Sequence, residues 1–237
     1  MHDPCVLDIS HHNPTPDWGL LVDTGIIGII HKATEGAGYV DDQLFKRARP
    51  AMDAGLLWAT YHFMRPGSTY AQMDHYLSVV DPVEGERMVL DHEDAGVSVQ
   101  HLEDAVANLL SLCPGVNVAI YSGHLIKEQL SGKKSDYLAA HTTLWVAQYT
   151  TAAAPSWPTA TWPQWALWQF TDKASVAGCP KPVDGNRWNG DEQSLLQWFD
   201  PATEMPAPMP TPAAVTIDIQ TPEGVEISVS VNGKRVS

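Results

Sequence analysis

Short apolar runs punctuate the first 190 residues, at 6–9, 26–31, 57–64, 88–90, 116–121, 144–149 and 166–170. Each is rich in β-branched or aromatic side chains and is bounded by Gly, Pro, Asp or Ser, the pattern of strands buried on both faces. Helical spacing fills gaps between the early runs, over 42–54, 70–80 and 99–112, with Ser98 placed as an N-cap and Pro114-Gly115 closing the third. Pro50 inside the first of these predicts a kink or a late start. After about residue 140 the rhythm changes. Residues 152–163 are too rich in Ala, Thr and Pro for a crossover helix, so the late strands follow one another through loops. Alternating βα units that give way to bare strands predict an α/β fold, a parallel barrel whose last part lacks its helices.

Chemistry on such a barrel collects at the C-terminal ends of the strands. The ends here are polar after apolar runs: Asp8, Lys32, Tyr61-His62, Asp91 with Glu93, Tyr121, Gln148-Tyr149 and Gln169. The pair Asp91-His92-Glu93 carries the most information, because residues two apart on a strand project from one face. Two adjacent carboxyls resist ionising together, so one keeps its proton to higher pH, as protonation of a glycosidic oxygen requires. The plainer alternative is that Asp91 caps a turn and Glu93 is solvated.

Beyond residue 200 the character shifts again. Residues 201–214 form a Pro/Ala-rich linker with Pro at 201, 206, 208, 210 and 212, and 215–237 alternate apolar and polar positions around an Asn232-Gly233 turn signal. The tail reads as a small C-terminal β-meander. It is too short to bury a core alone, which leaves docking on the main domain, homo-oligomer formation through the tail, or a fold completed on contact with a partner such as the wall, with the exposed β-pattern favouring self-association.

Composition narrows the partners. With 44% hydrophobic and 18% charged residues the chain is globular, and a net charge of −14 with pI near 4.9 excludes a sequence-independent nucleic-acid binder. Cys5, Cys113 and Cys179 have neither a zinc spacing nor a disulfide pattern. No window resembles a signal peptide or a membrane span, so the expectation is synthesis in a cytoplasm, no membrane insertion, and release by another agent.

The strand-end segments recur in order as Asp8-Ile9-Ser10, Lys32-Ala33-Thr34-Glu35-Gly36, Tyr61-His62-Phe63, Leu90-Asp91-His92-Glu93, Tyr121-Ser122-Gly123, Leu144 to Tyr149, Trp168-Gln169-Phe170 and Val183-Asp184-Gly185-Asn186. This series resembles the family 25 glycoside hydrolases, the Chalaropsis-type lysozymes, from about Cys5 to Phe199. The resemblance implies a TIM-like (β/α)5(β)3 barrel as catalytic domain over 1–200. It implies cleavage of the β-1,4 bond between N-acetylmuramic acid and N-acetylglucosamine of bacterial peptidoglycan with retention and without a cofactor. Glu93 then matches the general acid/base and Asp91 its partner carboxylate, with Asp8 and Asp184 as the other acids of the pocket. Lys32, Glu35, Tyr61, Tyr121, Trp145, Gln148, Tyr149 and Gln169 become the substrate-binding candidates. A lysozyme domain with an appendage and no leader resembles a phage endolysin, held in the host cytoplasm until a holin-type pore lets it reach the wall.

Nine Trp are many for 237 residues; flat rings suit sugar faces, but Trp165, Trp168 and Trp198 read as packing. His31 departs from the aliphatic residue usual before Lys-Ala-Thr-Glu-Gly, and His11-His12 follow Asp8-Ile9-Ser10, which would enrich the cleft in imidazole. With His62 and His92 these support a rival, a metal-dependent barrel hydrolase, although no H-x-H or HExxH spacing is present. A wall-binding protein without catalysis is the third reading.

Overall fold

The computed structural model describes residues 3–199, 229–231 and 234–236. Chain contacts divide into two units, 1–204 and 205–237. In the first unit the elements run β1 (Val6–Ile9), α1 (Trp18–Asp23), β2 (Gly28–Glu35), β3 (Tyr39–Val40), α2 (Leu44–Asp53), β4 (Leu57–Phe63), α3 (Thr69–Val80), β5 (Arg87–Asp91), α4 (Val99–Leu112), β6 (Asn117–Ser122), α5 (His124–Leu130), α6 (Asp136–His141), β7 (Thr142–Ala147), β8 (Leu167–Ala174), β9 (Val183–Trp188) and α7 (Glu192–Phe199).

Strands pair in the order β1-β9-β8-β7-β6-β5-β4-β2, and a β1–β2 pairing closes the ring into an eight-stranded barrel, with β3 added beside β2. All barrel pairings are parallel except the two made by β9. Helices follow the first five barrel strands and none separates β7, β8 and β9. The (β/α)5(β)3 expectation therefore holds.

Period-two alternation explains why the runs read as continuously apolar. Val89, Ala119, Trp145 and Leu167 pack inside the barrel with Ile30 and Ala59. Their neighbours Met88, Leu90, Val118, Ile120, Leu144, Val146 and Trp168 pack outward, in one cluster with Met73 and Tyr76 of α3 and Leu102 and Leu109 of α4. Each strand is apolar on both faces because one meets the barrel axis and the other meets helices. Trp165, Trp168 and Trp198 are buried packing residues, as expected.

Ser98 caps α4 through its hydroxyl, which accepts from the His101 N–H. Pro50 does not interrupt α2; the helix runs on for three residues after it, and begins at Leu44 rather than at 42. Helix α7 closes the N-terminal end of the barrel. Phe199 lies against Gly28, the first residue of β2, and the Trp198 carbonyl accepts from Arg87 Nε, on the first residue of β5, at 2.8 Å. Trp198 Nε1 donates to Thr143 Oγ1 near the start of β7. With that end filled, the opposite mouth is left for the chemistry.

In the second unit, β10 (Val229–Val231) and β11 (Lys234–Val236) pair antiparallel with Val231 opposite Lys234, the register of a two-residue hairpin. The linker expected at 201–214, the strand expected at 215–219 and the first four residues of the one expected at 225–231 lie outside the described residues. No helix of the described residues is long and apolar enough to cross a membrane.

Candidate active site

The alternation that builds the core also builds the site. On β5 the interior parity of Val89 continues to Asp91 and on to Glu93. On β6 Ala119 leads to Tyr121, on β4 Ala59 leads to Tyr61, and on β8 Leu167 leads to Gln169. These residues converge with Asp8, Trp145, Tyr149 and Asp184 on a pocket of about 230 Å³ at the C-terminal mouth. Eight of those nine stand one behind another only because neighbouring strands run parallel and in step. Asp184 arrives from the antiparallel β9, directly opposite Asp8 in the β1–β9 register.

The four carboxyls are electrostatically unlike ordinary surface acids. Burial, then the charge of Asp184, pushes Asp8 up to about 8. Asp184 is pushed up to about 6 by burial and the charge of Asp172, against a hydrogen bond from Asp8. Asp91 is held well above the usual carboxylate range by burial and by Glu93, with Lys32 pulling the other way. Glu93 stays exposed on one side, yet partial burial and the charge of Asp184 raise it too. The cluster thus carries fewer than four charges at neutral pH.

Asp8 is the most firmly held. Gln169 Nε2 donates to its two oxygens at 3.0 and 3.1 Å, and Asn186 Nδ2 donates at 2.7 Å. Gln169 Oε1 in turn accepts from the hydroxyls of Tyr121 at 2.9 Å and Tyr149 at 2.8 Å, and Asn186 Oδ1 accepts from Trp145 Nε1 at 2.7 Å. Asn186 was not among the candidates drawn from the sequence. Its signal was present in Val183-Asp184-Gly185-Asn186, where the spacing of two from Asp184 places Asn186 on the same face of β9. Asp91 differs: its Oδ1 is buried and accepts no hydrogen bond from the described residues.

Three candidates lie elsewhere. Lys32 is buried at the rim, pairs with Glu35 and sits over the rings of Phe63 and Tyr39 at 5.1 and 5.4 Å. Glu35 also binds Arg65, which reaches Asp94, so one chain of charges ties the ends of β2, β4 and β5 together. Partial burial works to raise Glu35, but Lys32 and Arg65 more than offset it. Gln148 has the outward parity of Leu144 and Val146, and its Oε1 accepts from Lys127 Nζ at 2.8 Å rather than facing the acids.

Parity also disposes of the imidazole-rich cleft. His31 Nδ1 bonds the Lys32 carbonyl and its ring stacks on Trp58, His62 bonds Thr34 and Gln72, and His92 Nε2 bonds the Val97 carbonyl. All three point away from the pocket and are buried; burial lowers His31 and His62 to about 4. His11 pairs with Asp41 at the rim. Among the described residues no group of three or more His, Cys, Asp or Glu is placed to hold a metal ion.

The family model for glycosyl hydrolases family 25 matches residues 7–179, most of the barrel and three of its four pocket acids. The chain belongs to glycosyl hydrolase family 25. As a family 25 chain it is a glycoside hydrolase. It is 27% identical over 207 residues to lysozyme M1 of Streptomyces globisporus, covering 80% of this chain and 69% of that protein. Among solved structures it is similar to the bacterial lysozyme of Streptomyces coelicolor, with TM-score 0.73 and 27% identity over 83% of this chain and 97% of that one. It is also similar to the muramidase of Trichobolus zukalii, with TM-score 0.70 and 26% identity over 81% and 97%.

Proposed function

We propose that residues 1–200 form a retaining N-acetylmuramidase that cleaves the β-1,4 bond between N-acetylmuramic acid and N-acetylglucosamine in bacterial peptidoglycan. The observation that carries this reading is the convergence of four carboxyls, three of them on parallel strand ends or just beyond, on one aromatic-walled pocket. Glu93 serves as general acid/base. Its raised affinity for a proton keeps it protonated to higher pH than an ordinary glutamic acid, as donation to the departing glycosidic oxygen requires.

The nucleophile in this reading is the substrate's own 2-acetamido oxygen, which forms a bond to C1 as the C1–O4 bond breaks and Glu93 gives its proton to O4. Water then attacks C1, the ring formed by the acetamido group reopens, and Glu93 recovers a proton from that water, so the β configuration returns. Asp91 supports this route. Its buried, unpartnered Oδ1 fits an N–H donor such as the acetamido group, and a donated hydrogen bond favours the ionised form. An ionised Asp91 then stabilises the positive charge on the acetamido group and keeps the proton on Glu93. Asp8 is a poor covalent nucleophile by comparison, because its oxygens are already engaged by Gln169, Asn186 and Asp184.

Glu93→Gln tests the assignment. Turnover of purified peptidoglycan falls by about 10³-fold or more while binding to the glycan persists, and proton NMR of early wild-type product shows the β anomer first. An initially formed α anomer contradicts retention, and an active Glu93→Gln variant contradicts the role of Glu93.

A further inference from the structure

Beside the acidic mouth lies a second pocket of about 360 Å³, lined by Lys127, Lys133, Ser156, Trp157 and the 158–160 turn. Its chemistry is the reverse of its neighbour's. Lys127, on α5, is partly buried, and its ammonium is held by two uncharged oxygens, Gln148 Oε1 at 2.8 Å and Ser156 Oγ at 3.3 Å. Among the described residues no ion pair is made to it, and burial lowers its proton affinity with no carboxylate acting to restore it. A half-buried ammonium held only by neutral oxygens gains from an arriving carboxylate, because a charge-assisted hydrogen bond is stronger than the neutral ones it has. Lys133, exposed on the same wall, adds a second ammonium, in a chain whose net charge is −14. The nearby Lys134 is already paired with Asp136.

The position of this pocket is set by one residue. Gln148 holds Lys127 through its side chain, and its backbone carbonyl accepts from Trp168 Nε1. The next residue, Tyr149, lines the acidic pocket and bonds Gln169. Gln148 Oε1 also accepts from the Ser156 N–H and hydroxyl, which anchors the loop carrying Trp157. Two residues adjacent in the chain, Gln148 and Tyr149, thus connect the lysine pocket to the acidic one.

We propose that the Lys127–Trp157 pocket binds a carboxylate of the peptide stem attached to the muramic acid, with the ammonium groups of Lys127 and Lys133 pairing the carboxylate and the Trp157 ring covering an aliphatic part of the stem. This rests on the muramidase reading and deepens it: the enzyme recognises peptide-bearing glycan, not the sugar strand alone. The ligand brings the negative charge that the lysines lack, and brings it along the stem; a strand without stems carries only the lactyl carboxylate of each muramic acid, attached directly to the sugar ring.

The test uses the full chain and a synthetic stem tetrapeptide of L-Ala, D-Glu, a diamino acid and D-Ala, titrated by calorimetry or by NMR. The peptide binds wild type and Glu93→Gln alike, Lys127→Gln weakens it at least fivefold, and Lys133→Gln weakens it about two- to threefold. Lys133→Gln, at an exposed position, guards against a folding artefact in Lys127→Gln. In parallel, rates are compared on teichoic-acid-free peptidoglycan before and after an amidase has removed its stems, and the preference for stem-bearing material drops about fivefold in Lys127→Gln. No peptide binding by wild type, or equal binding by Lys127→Gln and Lys133→Gln variants and wild type, overturns the proposal. So does a site that takes teichoic-acid phosphates but not the peptide. Wild type inactive on both glycans overturns the muramidase reading alone, since the peptide titration is independent of turnover.

Discussion

Replacing Asp8 by Asn should make stability less dependent on pH, and the size of the effect follows from the pocket. Asp8 is pushed up to about 8 by burial and the facing Asp184, whereas an unfolded Asp titrates near 3.9. A carboxyl raised on folding contributes stability that is complete below its unfolded value and is lost as pH rises through the folded value, here between about pH 4 and 8. At pH 7 the native state keeps most of a proton on Asp8 that the unfolded chain has released, so stability falls by roughly 1 kcal/mol per pH unit from this group. Asn copies the protonated acid. Its amide can donate to Asp184 while its oxygen accepts from Asn186 or Gln169, yet it has no proton to lose.

Between pH 5 and 7 the variant should therefore gain on wild type by about 2 kcal/mol, allowing for some relaxation of Asp184, or about 4–8 °C in Tm for a unit of this size. Urea unfolding at pH 5, 6, 7 and 8, followed by Trp fluorescence, measures it, since all nine Trp lie within the barrel unit. The buried His31 and His62, lowered to about 4, oppose the carboxyls between pH 4 and 6.5, but they contribute equally to both proteins and cancel in the difference. A stability difference that stays constant from pH 5 to 8 refutes the reasoning, whatever its absolute size.

The other predictions are shorter. In the substrate complex, where Asp91 is ionised, Asp91→Asn removes a negative neighbour of Glu93, so the alkaline limb of the residual kcat should move to lower pH; an unmoved limb in the kcat–pH profile contradicts the coupling. Gln169→Leu takes away the two hydrogen bonds its amide donates to Asp8 and the acceptor of Tyr121 and Tyr149, and kcat should fall about 10–100-fold with little change in far-UV circular dichroism. Gly28→Ala places a Cβ 2.6 Å from the Phe199 ring and should cost about 1–3 kcal/mol in urea unfolding by lifting α7 off the barrel end; an unchanged midpoint contradicts the role given to α7. Light scattering of the full chain against one ending at Asp200 should show self-association lost with the tail, and equal subunit numbers contradict it.

Much of the barrel was legible because burial on both faces leaves a run of apolar letters wherever a central strand lies: all seven runs overlap a strand packed on both sides, and the run at 6–9 coincides with β1. β9 was invisible as a strand. Val183–Trp188 places an acid, a glycine and an asparagine where other strands carry aliphatics, since it faces the pocket with one side and crowds Pro4, Thr171 and Ala174 at Gly185 with the other. Only the ordered series of motifs pointed to it. The short helices α1, α5 and α6 carry too few turns to show a period, and α7 announces itself only through its Trp and Phe.

For the site, position in the strand was readable but parity was not fully used. Asp91 and Glu93 were found because their spacing encodes one face, whereas Gln148, His31, His62 and His92 were grouped with the cleft because they end strands, although each is an odd number of residues from an inward neighbour. Asn186 and Gln169 as braces of Asp8 required knowing that β1, β8 and β9 are adjacent, which no local pattern states.

The central claim is that the pocket cuts glycan at muramic acid. Digestion of purified, teichoic-acid-free peptidoglycan with the full chain, borohydride reduction, and mass spectrometry of the released muropeptides reads the newly made end. Reduced N-acetylmuramic acid at that end is the expected result, abolished in Glu93→Gln; reduced N-acetylglucosamine, or free peptide stems on intact strands, contradicts it.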